Sequence, residues 1–368
     1  MPVSEFRMFI NNEGATDETV SRFTALQIDQ AMGMATEAEL RMDLTADAAG
    51  NWADLESDLA QPMQRVRIEV RVGSGDFVPL IDGPVVTHRF DFNATPDRST
   101  MTLIAQDDSV LLNQEESVEL FEDTTPDQIA TTLIQAAGLE AQAESVPDAG
   151  SSVARYTVRR GTAMALLRDL ARRHGMNVYV RPGDEPGKSV VVFERPRLAA
   201  GDLPELLVMG ATRNVNRIEL EFDALRPASA IASGVRISDK AVLTSEADAS
   251  DLAVLGDTPV HELLAPARVL LARTREETTD LDAATQAAVN TSSWAFTARG
   301  ETAADIYAGV LQAYGLVRLA GVGATFAGDY LISRVTHVLD SERYQQRFTL
   351  VRNARMSSGG APSVPGVF

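Results

Sequence analysis

The sequence predicts a mainly β protein with an α+β middle section, in which two strand-rich, barrel-like parts flank a part that carries helices. Three observations lead there. Short runs of alternating apolar and polar residues fill roughly the first 115 of the 368 positions. Capped amphipathic helices alternating with short strands occupy 116–200, and alternating strands resume from 201 to about 355.

In the first part, "QRVRIEVRV" (64–72) sets Val66, Ile68, Val70 and Val72 against Arg65, Arg67, Glu69 and Arg71 before "GSGD" turns the chain, a period of two that predicts a strand with one buried face. "FVPLIDGPVVTHRFDF" and "RSTMTLIAQD" continue the pattern, with turn-forming residues in the gaps. Strands this short and closely spaced suggest a barrel or a sandwich. "TADAAGNWADLESD" (45–58) interrupts them, as a short helix or as an insertion between strands.

The middle part opens on "FEDTTPDQIATTLIQAAGLEA" (121–141). Thr125 is a good N-cap, Pro126 fits a position where no N–H is needed, and Gln128 sits where its side chain can return the bond to the cap. Ile129, Leu133, Ile134 and Ala137 form one apolar stripe, and Gly138 can take the left-handed conformation that stops a helix. Phe121 anchors the lead-in against the core, so the stretch marks a boundary near residue 116. "YTVRRGTAMALLRDLARRHGMNVYVRPG" (156–183) repeats the scheme, with Thr162 as cap, Leu166, Leu167 and Leu170 on one face, Gly175 as the stop and a strand through Val178 and Val180. Arg172, Arg173 and His174 fall in the last helical turn, where positive charge suits the dipole. "VVVFERPR" is a further strand.

In the last part "NRIELEFDAL", "SAIASGVRISD", "DYLISRVTHVLD" and "YQQRFTLVR" read as strands, with a helix beginning near Thr279 and Asp282 at its third position. The spacing of apolar residues predicts a further helix from Ala303 to Tyr314. The tail 356–368, ending on Phe368, has no periodicity and is expected to be flexible.

Composition narrows the function. Lys plus Arg number 33 against 52 Asp plus Glu, a formal charge of −19, which disfavours non-specific binding to a phosphate backbone. There is no cysteine, which removes disulfides, thiolate metal sites and cysteine nucleophiles together. The start lacks the pattern of a signal peptide, and no apolar run reaches the ~18 residues of a membrane helix. A cytoplasmic product with no stable membrane insertion is expected.

No catalytic motif stands out. His88, His174, His261 and His337 are scattered, two in predicted strands and two at helix ends, without a metal-binding spacing. Glu122 and Asp123 are adjacent carboxylates, but neighbours on a strand point to opposite faces and cannot flank one bond without a bulge or turn. "GVGATFAG" (321–328) has Gly321 and Gly323 but lacks the third glycine of a dinucleotide fingerprint and the lysine of a phosphate loop, and reads as a turn joining two strands. No GxSxG occurs. The catalytic, cofactor and metal sets are therefore expected to be empty.

Three blocks carry a resemblance. "FEDTTPDQIATTLIQAAGL", the 156–183 segment and "FAGDYLISRVTHVLDSERYQQRFTLVRNAR" resemble the phage late control D family, which includes the baseplate hub proteins of contractile phage tails and the hub part of VgrG spike proteins. The resemblance runs over about residues 60–355. Its most specific part is "GDYLISRVTHVLD" followed by a tyrosine and "F-T-L-x-R-N" from Phe348 to Asn353. "RGETAADIYAGVLQAYGLVRLAGVG" (299–323) is similar to hubs of extracellular contractile injection systems, which weakens the helix read from spacing at 303–314.

The resemblance implies a non-enzymatic homotrimer. Residues 1–115 and 201–355 would be two barrel-like tube domains, arranged pseudo-sixfold around a channel, and 116–200 part of the outer body. Such a ring joins a hexameric inner tube protein to a trimeric spike, among other baseplate components, without cofactor or specific nucleic-acid binding. The chain stops about 15 residues past its last family motif and has no repeat to build a needle, so a stand-alone hub with a separate spike protein is expected. It would be cytoplasmic before assembly and part of the particle or virion baseplate afterwards, and a negative lumen would suit passage of DNA or cargo. The alternative is a tail-tip-associated peptidoglycan- or carbohydrate-processing enzyme.

Overall fold

The computed structural model describes residues 4–357, except 48, 53–54, 56–60, 96–97, 147–155, 200, 236–239, 272–277 and 341–342. The protein is mainly β, with an α+β part. Its first strands are β1 (Ser4–Ile10), β2 (Glu13–Gly14), β3 (Phe23–Ala31), β4 (Glu37–Asp43), β5 (Arg65–Val72), β6 (Val78–Asp91) and β7 (Thr100–Gln106), with a short helix α1 (Asp17–Ser21) before β3. A 3-10 turn at Asp108–Asn113 leads into β8 (Glu116–Glu122), α2 (Pro126–Ala136), β9 (Glu140–Ala143), β10 (Tyr156–Thr162), α3 (Ala163–His174), β11 (Asn177–Pro182) and β12 (Ser189–Glu194). Then come β13 (Leu206–Leu207), β14 (Arg217–Phe222), β15 (Ala228–Val235), β16 (Val242–Ala247), β17 (Thr258–Pro259), α4 (Val260–Leu263), β18 (Ala267–Leu270) and α5 (Thr278–Ser292). The last strands are β19 (Phe296–Ala303), β20 (Leu316–Ala320), β21 (Gly328–Leu339), β22 (Tyr344–Arg352) and β23 (Ala354–Arg355).

Strands from both ends of the chain form one hydrogen-bonded sheet in the order β14-β19-β22-β21-β3-β4-β7-β6-β5-β1-β2, with β20 attached through β21 and β13 through β20. The two ends meet where β21 pairs antiparallel with β3, from Arg334 opposite Ala31 to Leu339 opposite Leu26. Side chains tie the same seam. Thr336 and Arg334 of β21 and Gln27 of β3 all donate hydrogen bonds to the Asp29 carboxylate. Burial opposes ionisation of Asp29, but these donors outweigh it and hold its pKa below the usual carboxylate value.

The sheet contains a repeat of topology. Taken in chain order, β3, β4, β6 and β7 lie in space as first, second, fourth, third, and so do β14, β19, β21 and β22. The third strand of each set is long, and its first half pairs with the strand just before it in sequence: β5 with β6, and β20 with β21. Each third strand then passes a β-bulge, at Val85/Thr87 in β6 and at Ile332/Arg334 in β21, before pairing on with the fourth strand. Bulges re-aim a strand and end one pairing, so their matched position belongs to the same design. The two sets differ at one place. Beyond its bulge β21 carries β3 on its free side, whereas the matching stretch of β6, Thr87–Asp91, has no strand there among the described residues. At the other end of the sheet β14 likewise pairs only with β19 among the described residues.

The helical section forms as the capping signals predict. Thr125 precedes α2, its backbone N–H donating to Gln128 Oε1 at 3.2 Å, and Gly138 follows with φ of +76°. Thr162 Oγ1 accepts from the Ala165 N–H at 3.2 Å, and Gly175 closes α3 in the left-handed region at φ +64°. Ile129, Leu133, Ile134, Leu166, Leu167 and Leu170 share a core with Phe121, Val178 and Val180. Beside it β12 pairs with β11 and, in parallel, with β9, a strand that the sequence does not announce. Helix α5 begins near the expected residue, although the side chains at its start, Thr279 included, lie outside the described residues. The 45–58 segment is described only in part, with an Ala46–Trp52 bridge, and 358–368 lie outside the described residues.

Two expectations fail. The segment 303–314 is not a continuous helix: after β19 it makes one turn, in which the Tyr307 N–H donates to Ala303 O at 2.9 Å, and then runs on without regular structure. Buried glutamine amides from neighbouring strands take the place of helical hydrogen bonds. Gln346 Oε1 accepts from the Leu311 N–H at 2.7 Å while its Nε2 donates to Gly309 O at 2.8 Å, and Gln30 Oε1 accepts from the Ala313 N–H at 3.3 Å. Tyr307 is fully buried and donates its hydroxyl to Pro204 O at 2.9 Å. The second failure concerns 64–72, which forms a strand but not one with a single buried face, because Arg67 and Glu69 are buried as deeply as Val66.

Candidate functional site

The covering over Arg67 and Glu69 is the loop between β11 and β12. Arg67 Nε donates to Glu69 Oε1 at 2.6 Å, and its Nη1 reaches Asp82 Oδ2 at 3.1 Å and the carbonyls of Gly183 and Glu185 at 2.8 and 3.2 Å. Asp82 also accepts the Gly187 N–H at 2.9 Å and Arg65 Nε at 2.6 Å, and Arg65 forks onto Asp108 at 2.9 and 2.6 Å. Charges taken from water need this degree of satisfaction. The cluster is a structural clamp of the helical section onto the first strand set, with every carboxylate already engaged by protein.

A second buried cation holds the glycine-rich turn. "GVGATFAG" joins β20 to β21, as its composition suggests, with Gly321, Gly323 and Gly328 all at positive φ. Arg352 enters from β22, donates to the carbonyls of Ala327 at 2.6 Å and Phe326 at 3.4 Å, and stacks over Tyr330 and Phe296 with 4.6 and 4.9 Å to the ring centres. The turn is thus filled by protein and presents no phosphate cradle.

The histidines are dispersed. His88 lies in β6, His174 at the end of α3, His261 in α4 and His337 in β21. His337 is fully buried with Nδ1 2.8 Å from the Tyr344 hydroxyl and no partner for Nε2. Burial disfavours its imidazolium and lowers its pKa to about 3. Among the described residues no group of three or more histidine, aspartate or glutamate side chains is arranged to hold a metal. Glu122 ends β8, exposed, opposite Tyr156, and Asp123 follows in a bend at φ +48°. Arg172 and Arg173 both pair with Asp169, at 2.6 and 2.7 Å. A cleft of about 590 Å³ runs between the end of α3 and α5, lined by His174, Arg195, Glu246, Asp251 and Asp282 among others. Two of its acids are in use: Asp251 accepts from Asn290 at 2.7 Å, and Glu246 pairs with Arg268.

What the surface offers instead is unpaired backbone. The outer edges of β14 and of β6 at Thr87–Asp91 are the open ends of the two matched strand sets. Such edges are templates for a strand from elsewhere. Sequence reasoning missed them because pairing order is not written in local periodicity.

The fold is similar to that of tail proteins of known structure. Over residues 4–341 the chain matches the Alg8 N-terminal domain, and it belongs to that family. No curated protein matches it. Among solved structures it is similar to the 43 kDa tail protein of prophage MuSo2 from Shewanella oneidensis, with a TM-score of 0.63 at 14% identity over 95% of this chain and 99% of that one. It is similar also to the tail protein of Neisseria meningitidis MC58, with a TM-score of 0.58 at 12% identity over 95% and 96% of the two chains. A chain of the Francisella PdpA-VgrG complex matches with a TM-score of 0.56 at 9% identity, over all of this chain and 60% of that one.

Proposed function

We propose that this chain is a non-catalytic baseplate hub of the late control D type, a homotrimer that joins a hexameric inner tube to a trimeric spike in a contractile phage tail or injection system. In this reading residues 1–115 and 201–355 act as two tube domains and 116–200 lie on the outer body.

The observation that carries the reading is the repeated strand set with its empty slot. Within one chain the third strand of one set, β21, accepts the first strand of the other, β3. The same contact made between chains would bring β14, the remaining first strand, into the slot beside Thr87–Asp91 of β6, the remaining third strand. Every junction around the ring would then be of one kind, and each copy would contribute two equivalent sets. Three copies present six, which matches a hexameric tube while keeping threefold symmetry for a spike. The fold shared with tail proteins of Shewanella oneidensis and Neisseria meningitidis supports the same assignment.

The test is assembly. Mass photometry should find a particle of three 39.6 kDa chains, alone or with tube and spike partners present, and negative-stain images should show rings with a central hole. Amide exchange at 87–91 and 217–222 should slow on assembly. A chain that stays monomeric under all these conditions, or edges that exchange as fast in the trimer as in the monomer, would refute the proposal.

A further inference from the structure

Among the described residues outside the large sheet, two exposed apolar faces belong to small sheets. The first is the ribbon of β8 and β10, in which Leu120 stands opposite Val158, Val118 opposite Arg160 and Glu122 opposite Tyr156. Opposed residues share a face, so Val118, Leu120, Tyr156 and Val158 form one apolar surface. Val118 is 80% exposed and Tyr156 61%. The other face of the ribbon is the one Phe121 uses to enter the core with α2 and α3.

The second is the sheet of β16, β15 and β18. Its inner face, with Ala232 and Leu243, packs on Leu281 of α5. By alternation the outer face holds Ile231, Val235, Val242 and Leu270. Val242 is 70% exposed and Leu270 74%.

Helix α3 packs against β10 and α5, and α5 against β15 and β16. The elements thus stack as ribbon, α3, α5 and three-stranded sheet, with an apolar face turned outward at each end. Patches of this kind on a soluble chain mark interaction sites. Charge selects the occupant. The chain carries −19, so copies repel one another overall. On the exposed ribbon face Glu116 and Glu122 stand with Arg160, and on the outer sheet face Glu246 pairs with Arg268, so both faces are close to neutral. The two apolar faces are therefore places where like-charged copies can approach, and a cationic partner would gain nothing from them.

We propose that the ribbon face of one copy docks on the outer face of the β16-β15-β18 sheet of the next, head to tail, forming a belt around the trimer. The contact is heterologous, as a three-membered ring requires, whereas a face that met itself would give a twofold dimer. The proposal rests on the trimeric hub reading and adds to its strand-to-strand junctions a second, outer contact between neighbouring copies.

The absence of natural cysteine makes the test direct. Leu120→Cys marks the ribbon and Val242→Cys the sheet, both at exposed positions where folding tolerates the change. Treated with a short bismaleimide, a mixed assembly of the two single variants should give a two-chain product, neither variant alone should do so, and the double variant should give a closed three-chain product. Cross-linking of Leu120→Cys to itself would overturn the proposal, as would absence of cross-links in a preparation that mass photometry shows to be trimeric; the hub reading survives the latter result. Monomers throughout, even with tube and spike partners, would remove the hub reading and the belt together.

Discussion

Arg67 and Glu69, two residues apart on β5, form a 2.6 Å ion pair with side chains only 2% and 3% exposed. Two positions apart on a strand means the same face, so this pair occupies a face that alternation alone assigns to water. It lies where the β11–β12 loop closes over the first strand set.

Removing the cation should therefore unfasten that joint. Arg67→Ala leaves buried Glu69 and Asp82 with only Arg7 and Arg65 as cationic partners and strips donors from Gly183 and Glu185. We expect a loss of about 3–5 kcal/mol, the usual result of breaking one side of a buried pair. Urea unfolding followed by fluorescence measures it; a loss below about 1 kcal/mol would show that the clamp is dispensable.

His337 predicts an acid-side pH dependence. Its folded pKa of about 3 lies below the ordinary value of 6.5, so the fold binds fewer protons at this group than the unfolded chain does. The stabilisation is present above pH 6.5 and falls as the pH drops from there toward 3, by up to about 1.4 kcal/mol per pH unit. His337→Gln should flatten this slope between pH 6.5 and 5, above the range where most carboxylates titrate. Thermal melts of both proteins across that interval test it, and parallel slopes would disprove it.

The segment 303–314 should depend on one amide. Gln346→Leu keeps the volume near that of the original side chain but leaves the Leu311 N–H and Gly309 carbonyl unpartnered in the core. Each buried orphan costs about 1–3 kcal/mol, so a loss of about 2–6 kcal/mol is expected, with faster amide exchange from 309 to 313. Denaturation and exchange of the variant settle both parts.

Much of the helical section was legible because its signals are local. Thr162 and Gly175 announce α3 through the conformations their own backbones must adopt, and the leucine stripe announces its buried face. The alternation at 64–72 was legible as a strand, but a charged face covered by a distant loop has the same pattern as one covered by water. The apolar spacing at 303–314 is helical in appearance, and the arrival of Gln30 and Gln346 from far along the chain supplies the partners that a helix would have given its backbone. The repeat was invisible for a similar reason: β3 and β14 share no motif, and their equivalence lies in the order of strands and the place of a bulge. The strand-rich fold was within reach from local alternation, whereas the open edges are properties of pairing.

The seam between β3 and β21 has one more consequence. On the proposed scheme the contact between copies copies the contact within a copy, so the angle at this seam is also the angle at every junction around the assembly. A head-to-tail contact closes only when its rotation divides a full turn, and otherwise it climbs into a filament. The count of subunits would then be encoded in the twist across a single pair of strands, fastened at Asp29 by Thr336 and Arg334.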